Sequence, residues 1–348
     1  MNEQNLHALV GNVLQDLGGA FSVPLVQIGE QLGIYESLSA HGPCTAGELA
    51  KQTGLAERYL KEWLCAQAAS NYVTFEQESG CFSMTAEQAF VFATPESPFY
   101  LAPAFGAAAA FQNNEPQVRE AFTTGNGVSW GDQTKCLSCA VARFFRPGYQ
   151  NHLVQAWLPA IEGMVEKLER GTRVADVGCG HGITSVIMAQ AFPNSEFVGL
   201  DFHEESILAA RAHATAHGLN NISFEVSRAK EMPGKYDLIT LFDCLHDMGD
   251  PVGGMQHIRA SLNEGGACMI VEPMASDRIA DNLNPVGRMY YCASTMVCVP
   301  TSLAQENGAA LGAQAGEQRL KDIIVRQAGF QSCERIAETP FNLVLKAV

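Results

Sequence analysis

The chain has 348 residues, with 22 basic against 37 acidic side chains and a formal charge of −15. Hydrophobic residues make up 47% and charged ones 17%, enough apolar material for the cores of about two domains and too much for disorder. So acidic a surface is repelled by nucleic-acid phosphates and anionic membranes, which excludes the usual electrostatic partners of either.

The N-terminus, Met1 to Val10, has no basic segment followed by an apolar one, so no secretion signal is expected. The longest unbroken run of apolar or small residues, Leu101–Phe111, is eleven residues, and a spanning helix needs about 20, so none is expected either. The 11 cysteines are odd in number and scattered, unlike a disulfide framework, and Cys179 and Cys268 sit in apolar runs where a small buried thiol is ordinary. Cys136-Leu-Ser-Cys139 is a lone Cys-x-x-Cys; a structural zinc site needs a second pair or two spaced histidines, and neither follows. No metal and a cytoplasmic location are the expectations.

Leu6 to Leu17 is an apolar helical stretch suited to a subunit interface. Thr45-Ala-Gly-Glu48 has the capping-box pattern and opens a helix that Gly54 stops. A helix over 56–70 follows, with Leu60, Trp63 and Leu64 on one face. Then come two β-prone runs, 72–75 and 81–84, around the turn Glu78-Ser-Gly80. Helix, turn, helix and hairpin is the order of a winged-helix domain, assigned to residues 1–100. Three bases against eleven acids give these residues a charge of −8, and the would-be recognition helix offers Glu57, Arg58, Lys61 and Glu62, which cancel. A DNA reader needs a positive face, so a dimerisation module is expected instead. Residues 101–165 read as a helical connector covering the active site, with Arg143-Phe-Phe-Arg-Pro-Gly-Tyr149 as a candidate wall.

From residue 172 the pattern changes to strand alternating with helix. Strands are expected at 173–177, 197–201, 222–226, 236–242 and 267–271, the last entered through the turn Asn263-Glu-Gly-Gly266. Helices are expected at 183–191, 204–217, 252–262 and 317–328, and the runs 332–337 and 341–346 as an antiparallel hairpin. Such alternation indicates a parallel, doubly wound α/β sheet over residues 166–348. A long insertion over 273–315 is expected to be a lid or binding segment.

The most informative stretch is Asp176-x-Gly178-x-Gly180-x-Gly182, at a strand-to-helix turn. Glycines there admit a ligand close to the backbone, and Asp201, ending the next strand, can accept both hydroxyls of a ribose. Ile183 stands where a dinucleotide fingerprint needs its third glycine, and no Gly-x-x-x-x-Gly-Lys-Ser/Thr triphosphate motif exists. On these residues the chain resembles the class I S-adenosylmethionine-dependent methyltransferases. The resemblance implies a seven-stranded Rossmann-like methyltransferase sheet ending in an antiparallel hairpin, beside the N-terminal α-rich winged-helix domain, with S-adenosylmethionine as cofactor. It places Asp176, Gly178 and Gly180 on the methionine side, Asp201 on the ribose and Phe202 over the adenine. Phe242 and Asp243 close the cofactor site at the end of the fourth strand. Many members carry an acid after the third strand that contacts the adenine amine; Val226-Ser-Arg-Ala-Lys230 lacks one, so Ser227 or a backbone group near Ala229 must substitute.

The fourth strand runs into Leu241-Phe-Asp-Cys-Leu-His-Asp247, where His246 has a suitable pKa for a base and Asp247 could orient it. With the winged helix, this resembles small-molecule O-methyltransferases having an N-terminal winged-helix dimerisation domain. That resemblance implies His246 and Asp247 as a base pair supported by Glu272, although histidine in this position also occurs as a structural residue. Arg143, Arg146, Tyr149, Arg288, Tyr290 and Tyr291 are the candidate substrate-binding residues, with core tyrosines and an interdomain salt bridge as the plainer readings. The expected activity is methyl transfer to a small molecule, at a hydroxyl, by a homodimer that binds neither nucleic acid nor membrane. A thiol acceptor, an S-adenosylmethionine-sensing regulator and an inactive cofactor-binding scaffold stay open.

Overall fold

The computed structural model describes residues 1–134 and 137–348, so Cys136 of the Cys-x-x-Cys pair lies outside the described residues. The chain divides into two compact units, residues 1–110 with 143–148, and residues 111–142 with 149–348. All ten cysteines among the described residues are free thiols.

The first unit opens with Glu3–Gln31, a 29-residue helix whose cap Asn2 accepts the Asn5 N–H at 3.2 Å. An 18-residue window of this helix has a mean hydropathy of 1.2 and is 17% buried, so by length and composition alone the helix is long and apolar enough to cross a membrane. Averaged hydropathy and unbroken runs thus read this segment differently. Gly11, Asn12, Gln15 and Asp16 interrupt the runs yet leave the average high. Helices Ile34–His41, Ala46–Thr53 and Glu57–Ala69 follow, then the hairpin of β1 (Thr74–Glu76) and β2 (Cys81–Ser83). Both halves of the Thr45–Glu48 capping box form, and Gly54 ends that helix at φ +73°. Leu38, Leu49 and Leu64 are fully buried, and the Tyr35 ring meets Trp63 edge-on at 5.0 Å. The helix–helix–hairpin order is that of a winged helix.

In the second unit β3 (Arg173–Val177), β4 (Glu196–Asp201), β5 (Ile222–Val226), β6 (Tyr236–Phe242), β7 (Leu262–Pro273), β8 (Cys333–Glu338) and β9 (Asn342–Ala347) form one sheet, ordered β5-β4-β3-β6-β7-β9-β8. The first five are mutually parallel, while β9 runs antiparallel to both β7 and β8. The strand order reverses between β3 and β6, which opens a crevice at their C-terminal ends, the usual ligand position in such sheets. The expected turn at 263–266 is a bulge inside β7: Tyr236 pairs with Leu262 and Leu238 with Ala267, so four residues loop out opposite Asp237.

The 273–315 insertion is helical: the short turn Ile279–Asn282, then Pro285–Ala293, a π turn at Ser294–Cys298, and Val299–Leu303. Its end is bolted to the loop after β6. Ser302 Oγ donates to the Met248 carbonyl at 2.8 Å, Gln305 Nε2 to the Asp247 carbonyl at 2.8 Å, and Gly249 N–H to Gln305 Oε1 at 3.1 Å. A buried chain of amides joins it to the connector: Asn114 Nδ2 donates to Gln133 Oε1, and Gln133 Nε2 to Thr301 Oγ1, each at 2.7 Å.

Gly199 on β4 pairs with Phe224 on β5, and the Phe224 ring folds over it into the underside of the glycine loop. A Cβ at Gly199 would lie 2.4 Å from that ring. Gly199→Ala is therefore expected to lower stability by about 1–3 kcal/mol through overpacking. Denaturant midpoints measure this, and an unchanged midpoint would contradict the packing described.

Candidate active site

The loop after β3 takes three left-handed residues, Gly178 (φ +72°), Gly180 (φ +51°) and Gly182 (φ +71°). Two are also constrained by neighbours: a Cβ at Gly178 would meet Cys244 Sγ at 2.7 Å, and one at Gly182 the Phe224 ring at 2.7 Å. A Cβ at Gly180 would meet nothing within 4 Å, so this glycine faces open space where a ligand can approach the backbone.

Asp176 lies beneath the loop, 2% exposed. It accepts from Thr184 Oγ1 at 2.7 Å, Ser185 Oγ at 2.5 Å and Thr240 Oγ1 at 3.1 Å. Burial pushes its pKa up to about 6 against the pull of these hydroxyls. These contacts tie the carboxylate to the first residues of the helix after the loop and to β6. Asp201, at the end of β4, accepts the Gly180 N–H on Oδ2 and the His203 N–H on Oδ1, both at 2.9 Å. Each oxygen keeps a lone pair for a hydroxyl donor. Burial raises its pKa, opposed by those two N–H groups. Phe202 is 45% exposed beside it, Val226 at the end of β5 is exposed, and Ser227 donates its N–H to the Asp201 carbonyl at 2.9 Å.

Phe242 ends β6 and packs on Tyr149, ring centroids 5.4 Å apart. Asp243 follows in the left-handed region at φ +49°, a conformation aspartate tolerates better than most residues. Its carboxylate accepts the Tyr149 hydroxyl at 2.7 Å and Asn342 Nδ2 at 3.0 and 3.2 Å. Burial, the largest influence, lifts its pKa to about 7.

His246 sits in the next turn, 4% exposed. Its Nδ1 is 2.7 Å from Glu272 Oε2, while Glu272 Oε1 accepts the Leu245 N–H at 3.0 Å. Glu272, 1% exposed at the end of β7, so fixes both the ring and the turn that carries it. On the other side Nε2 is 3.3 Å from Asp247 Oδ1, a buried oxygen with no well-aligned donor. Cys298, at the end of the π turn, brings its Sγ within 4.8 Å of both. Burial alone would lower the imidazole pKa. The carboxylates of Glu272 and Asp247 outweigh it and hold the value well above the usual range. Burial pushes the Cys298 thiol up to about 12, reinforced by Asp247.

The expected substrate residues fall in different places. Tyr149 commits its hydroxyl to Asp243, and Tyr290, 3% exposed, donates its own to the Phe341 carbonyl at 2.6 Å. Arg143 is ion-paired with Glu30 and, like the exposed Arg146, belongs to the first unit. Arg288 is exposed and Tyr291 half-buried on Pro285–Ala293. A cavity of about 180 Å³ opens beyond β7, lined in part by Met274, Ser276, Asn282 and Val286. Asn342 and Cys298 were not foreseen, because they reach the site from remote segments without a local motif; Thr184 and Ser185, directly after the loop, carried a readable signal.

Glu272→Gln tests the central contact. An amide N–H facing Nδ1 is expected to move the ring proton to Nε2, read from imidazole ¹⁵N shifts. A ring that keeps Nδ1–H in the variant would disagree.

Residues 168–327 match the sequence model of a methyltransferase domain, and residues 20–94 that of an Rv2258c-like winged HTH domain. Among curated relatives, the ubiquinone biosynthesis O-methyltransferase of Leptothrix cholodnii is 35% identical over 127 residues, 35% of this chain and 52% of that protein. That of Bordetella avium is 32% identical over 120 residues, 33% and 47%. The chain thus spans about half the length of the curated relatives it matches. Solved structures resemble it over nearly its whole length. An O-methyltransferase family protein from Burkholderia thailandensis has a TM-score of 0.68 at 18% identity, covering 100% of this chain and 98% of that one. Human N-acetylserotonin methyltransferase in complex with SAM scores 0.66 at 15%, covering 98% and 97%. Residues 168–327 thus carry a methyltransferase domain and residues 20–94 an Rv2258c-like winged HTH domain, and the fold is shared with these solved structures.

Proposed function

We propose that this chain transfers a methyl group from S-adenosylmethionine to a hydroxyl of a small molecule, with His246 as the general base. The observation that carries the reading is the buried His246–Glu272 contact of 2.7 Å, set beside the glycine loop at the C-terminal ends of β6 and β7. The O-methyltransferase names of the curated relatives and of the Burkholderia structure support the reaction class. The human structure's bound SAM supports the cofactor.

The residues present fit that cofactor: open space above Gly180, free lone pairs on Asp201 and an exposed ring at Phe202. Asp201 would hold the ribose, Phe202 the adenine, and the backbone at Gly178 and Gly180 the methionine end, with Asp243 and Phe242 closing the site. When bound, the group supplies a methyl on a positively charged sulfur. Glu272 accepts the Nδ1–H of His246, and once the raised imidazolium has given up its Nε2 proton to solvent, the lone pair left on Nε2 takes the acceptor's proton. The imidazolium so formed rests between Glu272 and Asp247, which stabilise it. Tyr149 and Asn342 keep Asp243 fixed, and the insertion clamps the 245–249 turn through Ser302 and Gln305. Arg288 and Tyr291, exposed and half-buried on Pro285–Ala293, are the candidates for the acceptor side.

A homodimer fits the first unit. Leu9, Val10, Val13, Leu14, Leu17 and Phe21 are all exposed on the Glu3–Gln31 helix, an apolar surface suited to a second copy. The winged helix favours a regulator as the second reading, but its −8 charge opposes DNA. A reducing, cytoplasmic setting suits the free thiols.

Asp201→Asn is expected to weaken cofactor binding about tenfold or more by calorimetry, the cost of an unmatched hydroxyl contact. His246→Ala is expected to lower turnover by about 10²–10⁴ with cofactor affinity retained. The assay is labelled-methyl incorporation from S-adenosylmethionine into a metabolite extract; a loss under tenfold would remove the base role. Leu14→Glu is expected to shift a dimer to monomer in sedimentation, and duplex DNA binding at low salt would favour the regulator.

A further inference from the structure

Around His246 Nε2 the structure gathers three different ligand atoms: the ring nitrogen, an Asp247 carboxylate oxygen and Cys298 Sγ, all within 4.8 Å of one another. The nitrogen-to-oxygen separation of 3.3 Å is the spacing of two ligands on one tetrahedral zinc, whose bonds to nitrogen and oxygen are about 2.0–2.1 Å. The ring is already oriented as metal ligands are. Glu272 accepts its Nδ1–H at 2.7 Å, which aims the Nε2 lone pair at the other two atoms, the carboxylate–histidine arrangement that supports metal sites. Asp247 Oδ1 is buried with only the imidazole edge and the Cys298 thiol as polar neighbours, and a cation among the three would satisfy it in their place. Sulfur with imidazole and one carboxylate selects zinc over magnesium or calcium, which require oxygen. The thiol is delivered by the π turn Ser294–Cys298, a wide turn of the kind that recurs at functional sites.

We propose that His246, Asp247 and Cys298 bind one zinc ion, and that the ion switches methyl transfer off by occupying the lone pair of the base. The switch rests on the base role given to His246 above; the binding does not. On binding, the Cys298 S–H bond breaks, its proton leaves to solvent and the thiolate pairs with the metal, while the Nε2 lone pair and an Asp247 oxygen fill two further positions. One carboxylate and one thiolate balance the charge of the ion, and a fourth position is left for water. No lone pair on Nε2 then remains for the acceptor's proton.

The experiment uses the full chain, treated with chelator and desalted, then titrated with Zn²⁺ alone or with Co²⁺ as its spectroscopic stand-in. One equivalent of zinc is expected to survive desalting, and cobalt to give sulfur-to-metal charge-transfer absorption with tetrahedral bands. Cys298→Ser and Asp247→Asn, each checked for folding by circular dichroism, are expected to lose the retained zinc, and Cys298→Ser the charge-transfer band. Glu272→Gln is expected to weaken zinc about 10–100-fold. Absence of the thiolate–cobalt band in the native chain, or equal zinc retention by both ligand variants, would overturn the site. In the methyl-incorporation assay, zinc is expected to stop transfer by the native chain and chelator to restore it. Zinc that binds without slowing transfer would overturn the switch. Absence of all transfer from metal-free protein would count against the function proposed above, while the binding experiments still decide the site.

Discussion

Glu272 is the group on which the rest of the site depends. Its carboxyl group is almost wholly buried, and uses one oxygen for the Leu245 N–H and the other for His246 Nδ1. Burying a carboxylate is expensive, and the expense is met only where its oxygens find donors. The turn after β6 therefore has little freedom. It must present a backbone N–H and an imidazole to one carboxylate on the neighbouring strand. β7 itself is held on both sides, by β6 and by β9, where Glu272 lies opposite Leu343. The chemistry of the histidine is inherited from the sheet.

The same end of the sheet gathers four more carboxylates, Asp176, Asp201, Asp243 and Asp247, and three of them are held by neutral donors. Hydroxyls surround Asp176, backbone N–H groups hold Asp201, and a phenol with an amide holds Asp243. Negative potential is thus concentrated in the crevice instead of being neutralised, which suits a positively charged ligand and disfavours a polyanionic one. The formal charge of −15 is a global number; this crevice is where part of it acts.

Much of the fold was legible because its signals are local. Strands β3, β5 and β6 begin and end where the apolar runs do, and Gly54, Gly218 and Gly329 mark chain reversals through their positive φ. Asp201, Phe202, Asp243, His246 and Glu272 were readable as strand-end residues. What escaped notice depends on distance. Asn342 reaches Asp243 across 99 positions, and Cys298 reaches His246 from the helix of the insertion, so neither leaves a pattern in its own neighbourhood. Asp176 carried a motif, while the hydroxyls that surround it, from Thr184, Ser185 and Thr240, come in part from another strand. Tyr290 was a reasonable wall residue by type, and its hydroxyl is taken by a backbone carbonyl that no spacing reveals. The insertion reads as a lid or binding segment from its length alone, and its helices begin at Pro285 and beside Pro300, which stand in first turns where proline is tolerated.

Asp243 carries one more consequence. Its carboxylate ties together Tyr149, at the start of the segment that returns to the second unit, and Asn342, the first residue of β9. These loops close over 94 and 99 residues, so their entropy cost falls due before the contact rewards it. Partial opening of the β8–β9 edge would release Asn342 and loosen the residue at the lip of the crevice. Edge breathing and crevice order are then one equilibrium, and whatever fills the crevice should slow hydrogen exchange in a hairpin that it never touches.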